Sequence, residues 1–126
     1  MNVHITIGTV DDHEYLESEV SRVGQVKWPV PKTAKMGDFV FFLIPSRTGD
    51  IVAHGTVSES PTPCENWAPK YAARITKIRF LDSPVSLETL RDHFPHWKYF
   101  TYAVSYTTVP QKYESRFLSF VDPPKP

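Results

Sequence analysis

Twelve prolines stand in this chain of 126 residues, about twice the usual share, and they are spread from Pro29 to Pro126 rather than gathered into one tract. Each removes a backbone donor and pushes its predecessor toward extended geometry, so no helix runs far across one. Scattered among apolar runs, they punctuate short elements joined by many turns, which favours a β-rich fold. With 40% hydrophobic and 22% charged residues the chain is of ordinary globular type. Its length suits a single domain over residues 1–121, with 122–126 as a tail.

Fourteen Lys and Arg balance fourteen Asp and Glu. A net charge of zero excludes a protein that coats nucleic acid by bulk charge, but the sum conceals a separation. Asp11, Asp12, Glu14, Glu17 and Glu19 crowd one segment, whereas Arg22 to Lys35 holds four basic residues and no acid. Lys70, Arg74, Lys77 and Arg79 form a second acid-free cluster. The single Cys64 excludes an internal disulfide and a cysteine-based zinc cluster. No apolar run approaches the roughly 20 residues needed to cross a bilayer, and no charged-then-apolar leader opens the sequence, so the expected compartment is the cytoplasm.

Val3, Ile5 and Ile7 alternate with polar residues as in a half-buried strand. Asp11 or Asp12 then caps a helix whose apolar stripe is Leu16, Val20 and Val23 and which Gly24 ends. Pro29 and Pro31 exclude a helix beyond Trp28, so this indole is expected at the start of a stiff loop. Phe39 to Ile44 reads as a central strand that Pro45 ends, Ser46 to Asp50 as a hairpin loop, and Ile51 to Val57 as the returning strand. Ser58 to Pro69, which contains Trp67, is too rich in breakers for regular structure. Tyr71 to Leu81 reads as a strand with Ala73, Ile75 and Lys77 on one face. Ser86 caps a helix through Leu87, Leu90 and Phe94, Val85 staples onto Leu90, Trp97 to Thr107 is β-prone, and Pro110 opens a last helix. The order β, α, β, β, β, α, β, α describes an α+β domain around a small mixed or barrel-like sheet.

No catalytic constellation stands out. The five glycines occur singly, so there is no phosphate-binding loop, and the five histidines show no metal-ligand spacing. His4 and His54 read as strand residues with hydrogen-bonding partners, and no cofactor or metal is expected. Trp28 and Trp67 are more informative, because both lie on proline-flanked segments beside basic stretches. A stiffly held indole suits stacking on a nucleobase, worth roughly 1–3 kcal/mol per base. Lys27, Lys32, Lys35, Lys70 and Arg74 would neutralise phosphates nearby. The bland alternative is that both indoles plug the open ends of the sheet, as Trp97 among Phe94, Phe100 and Tyr102 reads as core.

Gly24-Gln25-Val26-Lys27-Trp28-Pro29-Val30-Pro31, then Met36-Gly37-Asp38-Phe39-Val40-Phe41-Phe42, then Ile51-Val52-Ala53-His54-Gly55-Thr56-Val57 resemble the EVE family of the PUA-like superfamily. Trp67 to Ile78 and Pro84-Val85-Ser86-Leu87 extend the resemblance over nearly the whole chain. It implies a PUA-like mixed β-barrel flanked by helices and a non-catalytic reader of a modified, methylated base in DNA or RNA, held in an aromatic cage. Trp28 and Trp67 match the cage walls, Pro29 and Val30 follow the first wall, and Ser46, Thr48, Ser105 and Thr107 are candidates for the polar edge. A nuclease is a candidate partner. The Trp-Pro-Val-Pro sequence departs from the polar residues that many family members carry after that tryptophan. ASCH domains, some of which are small amidohydrolases, share the superfamily, but their Gly-x-Lys-x-x-Glu-x-Arg pattern is missing. A small hydrolase and a protein-interaction module are the competing functional classes.

Overall fold

The computed structural model describes residues 2–8, 10–44, 50–64, 71–101 and 106–121. Strand β1 (Val3–Ile7) leads into α1 (Val10–Val23), followed by β2 (Val26–Pro29), β3 (Phe39–Ile44), β4 (Asp50–Val57), β5 (Thr62–Pro63) and β6 (Tyr71–Ser86). Helix α2 (Leu87–His93), a 3-10 turn (Lys98–Thr101), β7 (Thr107–Thr108) and α3 (Gln111–Val121) complete the chain. The strands form one curled mixed sheet, a half-barrel, in the order β2-β6-β4-β3-β1-β7, with β5 beside the start of β6. With three helices on the sheet, the architecture is the expected α+β class. Among the described residues no helix is long and apolar enough to cross a membrane.

The pairing follows from the pattern of side chains. β3 is apolar throughout because both of its faces are covered. Val40, Phe42 and Ile44 enter one buried cluster with Leu16, Trp28 and Ile75, while Phe41 and Leu43 enter a second with Ile5, Leu90, Phe94 and Phe117. β3 pairs antiparallel with β4 and parallel with β1, Val3 lying opposite Phe39 and Ile7 opposite Leu43. A parallel pair needs a crossover, and α1 with β2 supplies it. Helix α1 begins at Val10, so Asp11 and Asp12 occupy its first turn rather than its cap, where their charge still favours the positive helix end. At the other end Gly24 takes a φ of +76° and its N–H returns to the Val20 carbonyl at 2.9 Å. Ser86 caps α2, its hydroxyl accepting from the Thr89 N–H, and Val85 joins Leu90 in the second cluster.

Five local expectations are corrected. Trp28 is in strand β2, opposite Ala73 of β6, rather than on a loop, because Pro29 is the last strand residue, where a missing donor is tolerated. Thr62 and Pro63 do pair, with Ala72 and Tyr71 of β6. β6 continues to Ser86, but its register steps from Phe80 opposite Ala53 to Val85 opposite Ile51, so residues 81–84 bulge out against Val52. A second irregularity gives Lys77 a φ of +53° and leaves it exposed, which breaks its alternation with buried Ile75. Among the described residues of the aromatic segment only Thr107, with Thr108 after it, is strand, since the rings of Phe94, Trp97, Tyr99 and Phe100 pack on one another and on α3 instead.

One buried ionic group fastens the first strand. The Asp38 carboxylate accepts from the Asn2 N–H at 3.0 Å and the Lys35 N–H at 2.9 Å, and its Oδ2 lies 2.8 Å from Nε2 of fully buried His4. His4 Nδ1 in turn meets the Thr108 hydroxyl at 2.9 Å, so β7 is tied to the same group. Burial alone would raise the Asp38 pKa, but the hydrogen bonds from Asn2, His4 and Lys35 together bring it below the ordinary value. A depressed folded-state pKa contributes stability above the unfolded value, near 3.9, and that contribution fades as the pH falls through the folded one. Asp38→Ala is therefore expected to cost about 3–5 kcal/mol at neutral pH, as for a broken buried pair. Urea unfolding followed from pH 7 downward checks this: the gap between variant and parent should narrow below about pH 4.

Candidate functional site

Trp28 lies where α1, β1 and β3 converge. Strand alternation turns it inward and Lys27 outward. Its indole is 2% exposed and meets Phe42 edge-on, with ring centroids 5.0 Å apart at 86°. Gly8, at the end of β1, leaves room for it: a Cβ there would stand 2.9 Å from Trp28 Cζ2 and 3.0 Å from Asp12 Cβ. Ile7, Asp12, Trp28 and Pro29 line a small cavity of about 10 Å³, close to the least that holds one water molecule. Trp28 Nε1 is buried without an acceptor among the described residues. Such an orphan donor costs about 1–3 kcal/mol, and it is an unusual feature to keep beside a half-buried carboxylate.

The remaining candidates divide. Pro29 lines the cavity, whereas Val30 is a core residue, fully buried, with its N–H bonded to the Tyr71 carbonyl at 3.0 Å. Lys27 and Arg74 stand directly opposite each other on β2 and β6, both exposed. Like charges in that relation repel, so an anion between them would be welcome. Lys32 extends over the Tyr71 ring, 5.6 Å from its centroid. Lys35 is exposed beside Asp38, at the opposite end of β1 from Gly8 and the cavity, so it does not belong to the same cluster. Thr107 is half-buried on β7. Trp67, Lys70, Ser46, Thr48 and Ser105 lie outside the described residues.

Ile7 and Asp12 were not singled out from the sequence as site residues. Asp12 was legible only as a helix-end acid, and nothing in a linear pattern announces that α1 brings it against an indole sixteen positions later. The chain Thr108–His4–Asp38 joins a hydroxyl, an imidazole and a carboxylate in the order of a nucleophile, base and orienting acid. Its carboxylate is already committed to two backbone donors, and none of the three residues lines either cavity, so its evident role is to hold β1, β3 and β7 together. Among the described residues no group of three or more His, Cys, Asp or Glu could hold a metal.

No protein-family profile matches the sequence, and no curated protein matches it. Solved structures do. A structural-genomics protein of Pseudomonas syringae superposes with a TM-score of 0.73 at 16% identity, over 94% of this chain and 98% of that one. A hypothetical protein of Leishmania major gives 0.72 at 12% identity, over 95% and 94%. Human THYN1, solved in complex with 5-methylcytosine-containing DNA, gives 0.72 at 11% identity over the whole of both chains. The DUF55 domain of human thymocyte nuclear protein 1 gives 0.72 at 11% identity, over 94% and 97%. At such identities the agreement is one of fold: the chain shares the curled mixed sheet and flanking helices of these proteins.

Proposed function

We propose that this domain binds nucleic acid and reads a modified base, with Trp28 as one wall of the site. The observation that carries the reading is the buried indole itself, which keeps an unpaired N–H beside a cavity lined by Ile7, Asp12 and Pro29. A base supplies what the indole lacks, an acceptor for its N–H, and would set the exocyclic amine of a cytosine or adenine toward the acidic side of the same corner. A methyl group on the ring adds apolar contact, worth about 1–3 kcal/mol of discrimination per methylene-sized group. The exposed Lys27 and Arg74 pair, with Lys32 nearby in sequence, suits the phosphate backbone. Trp67 is the second wall in this reading, Lys70 a further phosphate contact, and Ser46 or Ser105 the polar edge. THYN1, which shares the fold, was solved with DNA that carries 5-methylcytosine, and this makes that base the first to test.

The cavity holds about 10 Å³, far less than a base needs. Binding therefore requires the indole or the chain over it to shift, which sets the site in the class that closes on its ligand. Flipping the base out of a duplex costs a few kcal/mol, so a single strand or a mismatch is the easier substrate.

Fluorescence anisotropy with matched single- and double-stranded oligonucleotides, carrying cytosine or 5-methylcytosine, should show the parent favouring the modified strand. Trp28→Phe, which keeps a ring but deletes the N–H, should lose most of that preference while remaining folded by circular dichroism, and an undiminished preference refutes the assignment. Lys27→Gln with Arg74→Gln should weaken both strands alike and lower the slope of log affinity against log salt by about two, one for each cation removed. Gly8→Ala, whose Cβ would crowd Trp28 Cζ2 at 2.9 Å, should displace the indole at a cost of about 1–3 kcal/mol, visible together as a lower denaturation midpoint and altered tryptophan emission.

A further inference from the structure

The sheet has a second concavity, on the face turned away from Trp28. Phe39 and Phe41 alternate along β3 with Val40 and Phe42, and Phe41 enters the cluster opposite to that of the indole. Helix α3 covers this face. Its Phe117 is fully buried and meets Phe41 edge-on at 5.1 Å, but the next residue, half-buried Leu118, leaves a gap over Phe39 and His54. The resulting cavity, lined by Phe39, Phe41, His54 and Leu118, holds about 190 Å³. A protein cavity of about 150 Å³ lined by apolar side chains takes up benzene. The space here therefore accepts a six-membered ring with a small substituent, whereas a nucleotide, with a sugar besides its ring, exceeds it.

The walls specify the occupant further. Two phenyl rings and a leucine favour a flat apolar body, and the one polar lining residue among those described is His54, whose ring lies 5.5 Å from that of Phe41. His54 is paired across the ladder with Arg79 of β6, which puts the two side chains on one face with their Cβ atoms roughly 5 Å apart. Arg79 is exposed, and its side chain has no hydrogen bond or ion pair with any described residue. A guanidinium at the rim of an apolar hollow is matched to a carboxylate, which it binds through two parallel hydrogen bonds. Glu114, one turn before Leu118 on the same helix face, disfavours a second negative charge. We propose that this cavity, between β3, β4 and α3, binds a small aromatic monocarboxylate, its ring against Phe39, Phe41 and Leu118 and its carboxylate at Arg79.

The site is independent of the base-reading corner, and its test uses the full chain without nucleic acid. Benzoate and its neutral counterpart benzyl alcohol are titrated into isotope-labelled protein, with amide and methyl resonances followed by NMR. Benzoate should shift Phe39, Phe41, His54, Arg79 and Leu118 with a millimolar Kd, the scale for a ligand of so few atoms. Arg79→Gln, an exposed substitution that leaves the spectrum dispersed, should weaken benzoate roughly tenfold, as when a charge-assisted hydrogen bond is lost, and leave benzyl alcohol unchanged. Leu118→Trp should fill the gap and abolish both. Absence of shifts at these residues overturns the proposal, as does equal binding of the alcohol or an Arg79→Gln variant that binds benzoate like the parent. An oligonucleotide that displaces benzoate from these residues also overturns it, by making the cavity part of a nucleic-acid surface.

Discussion

The arrangement turns on the parallel pairing of β1 with β3, because two parallel neighbours can be joined only by carrying the chain over the sheet and back. The Asp38 carboxylate fixes one end of that pair through the Asn2 N–H, the Lys35 N–H and the His4 ring, and the Gly8 N–H fixes the other on the Leu43 carbonyl at 3.0 Å. The obligatory crossover is α1 and β2. It brings the acidic first turn of α1 and the indole at the end of β2 to the same corner of the sheet, beside Gly8. The candidate base site is thus a consequence of how the first strand is tied down.

Both faces of that sheet are occupied, and they are occupied differently. The side with Trp28 is packed almost to closure around its indole, with an orphan donor and a carboxylate as its polar content. The other side is roofed by aromatic rings from the segment after α2, Phe94, Trp97 and Phe100, and from α3, Phe117 and Phe120, which meet one another at steep angles. Where the rings give way to Leu118 a ring-sized hollow remains. A tight polar corner suits recognition that depends on movement, and a preformed hollow suits a small rigid ligand. The two can coexist because the strands separate them.

Much of this was legible in the linear order of residues. The proline spacing excluded helices that run across those positions, the unbroken apolar run Phe39 to Ile44 marked a strand covered on both sides, and Ser86 and Gly24 marked helix ends where they occur. His4 was recognisable as a strand histidine in need of partners, and it has them in Asp38 and Thr108. The failures cluster where pairing, not local preference, decides. Val26 to Pro29 and Thr62 to Pro63 became strands because β6 offered them unpaired backbone, and the excursion at 81–84 arose because β4 and β6 differ in length between their shared contacts. Residues 97–101 of the aromatic segment gave up strand for a 3-10 turn and ring packing against α3.

The sequence by itself determined the α+β class, the helix ends, the central strands and the separation of acidic from basic stretches, because each rests on periodicity and on backbone restraints within a few residues. It also marked Trp28 as unusual, since proline-flanked tryptophans stand out in one dimension. Only the tertiary structure decided that this indole is buried rather than displayed, that Asp12 and Gly8 share its corner while Lys35 does not, and that His54 and Arg79 stand side by side over a hollow. Those relations join residues far apart in sequence through strand register and a crossover, and register is set by the whole sheet at once.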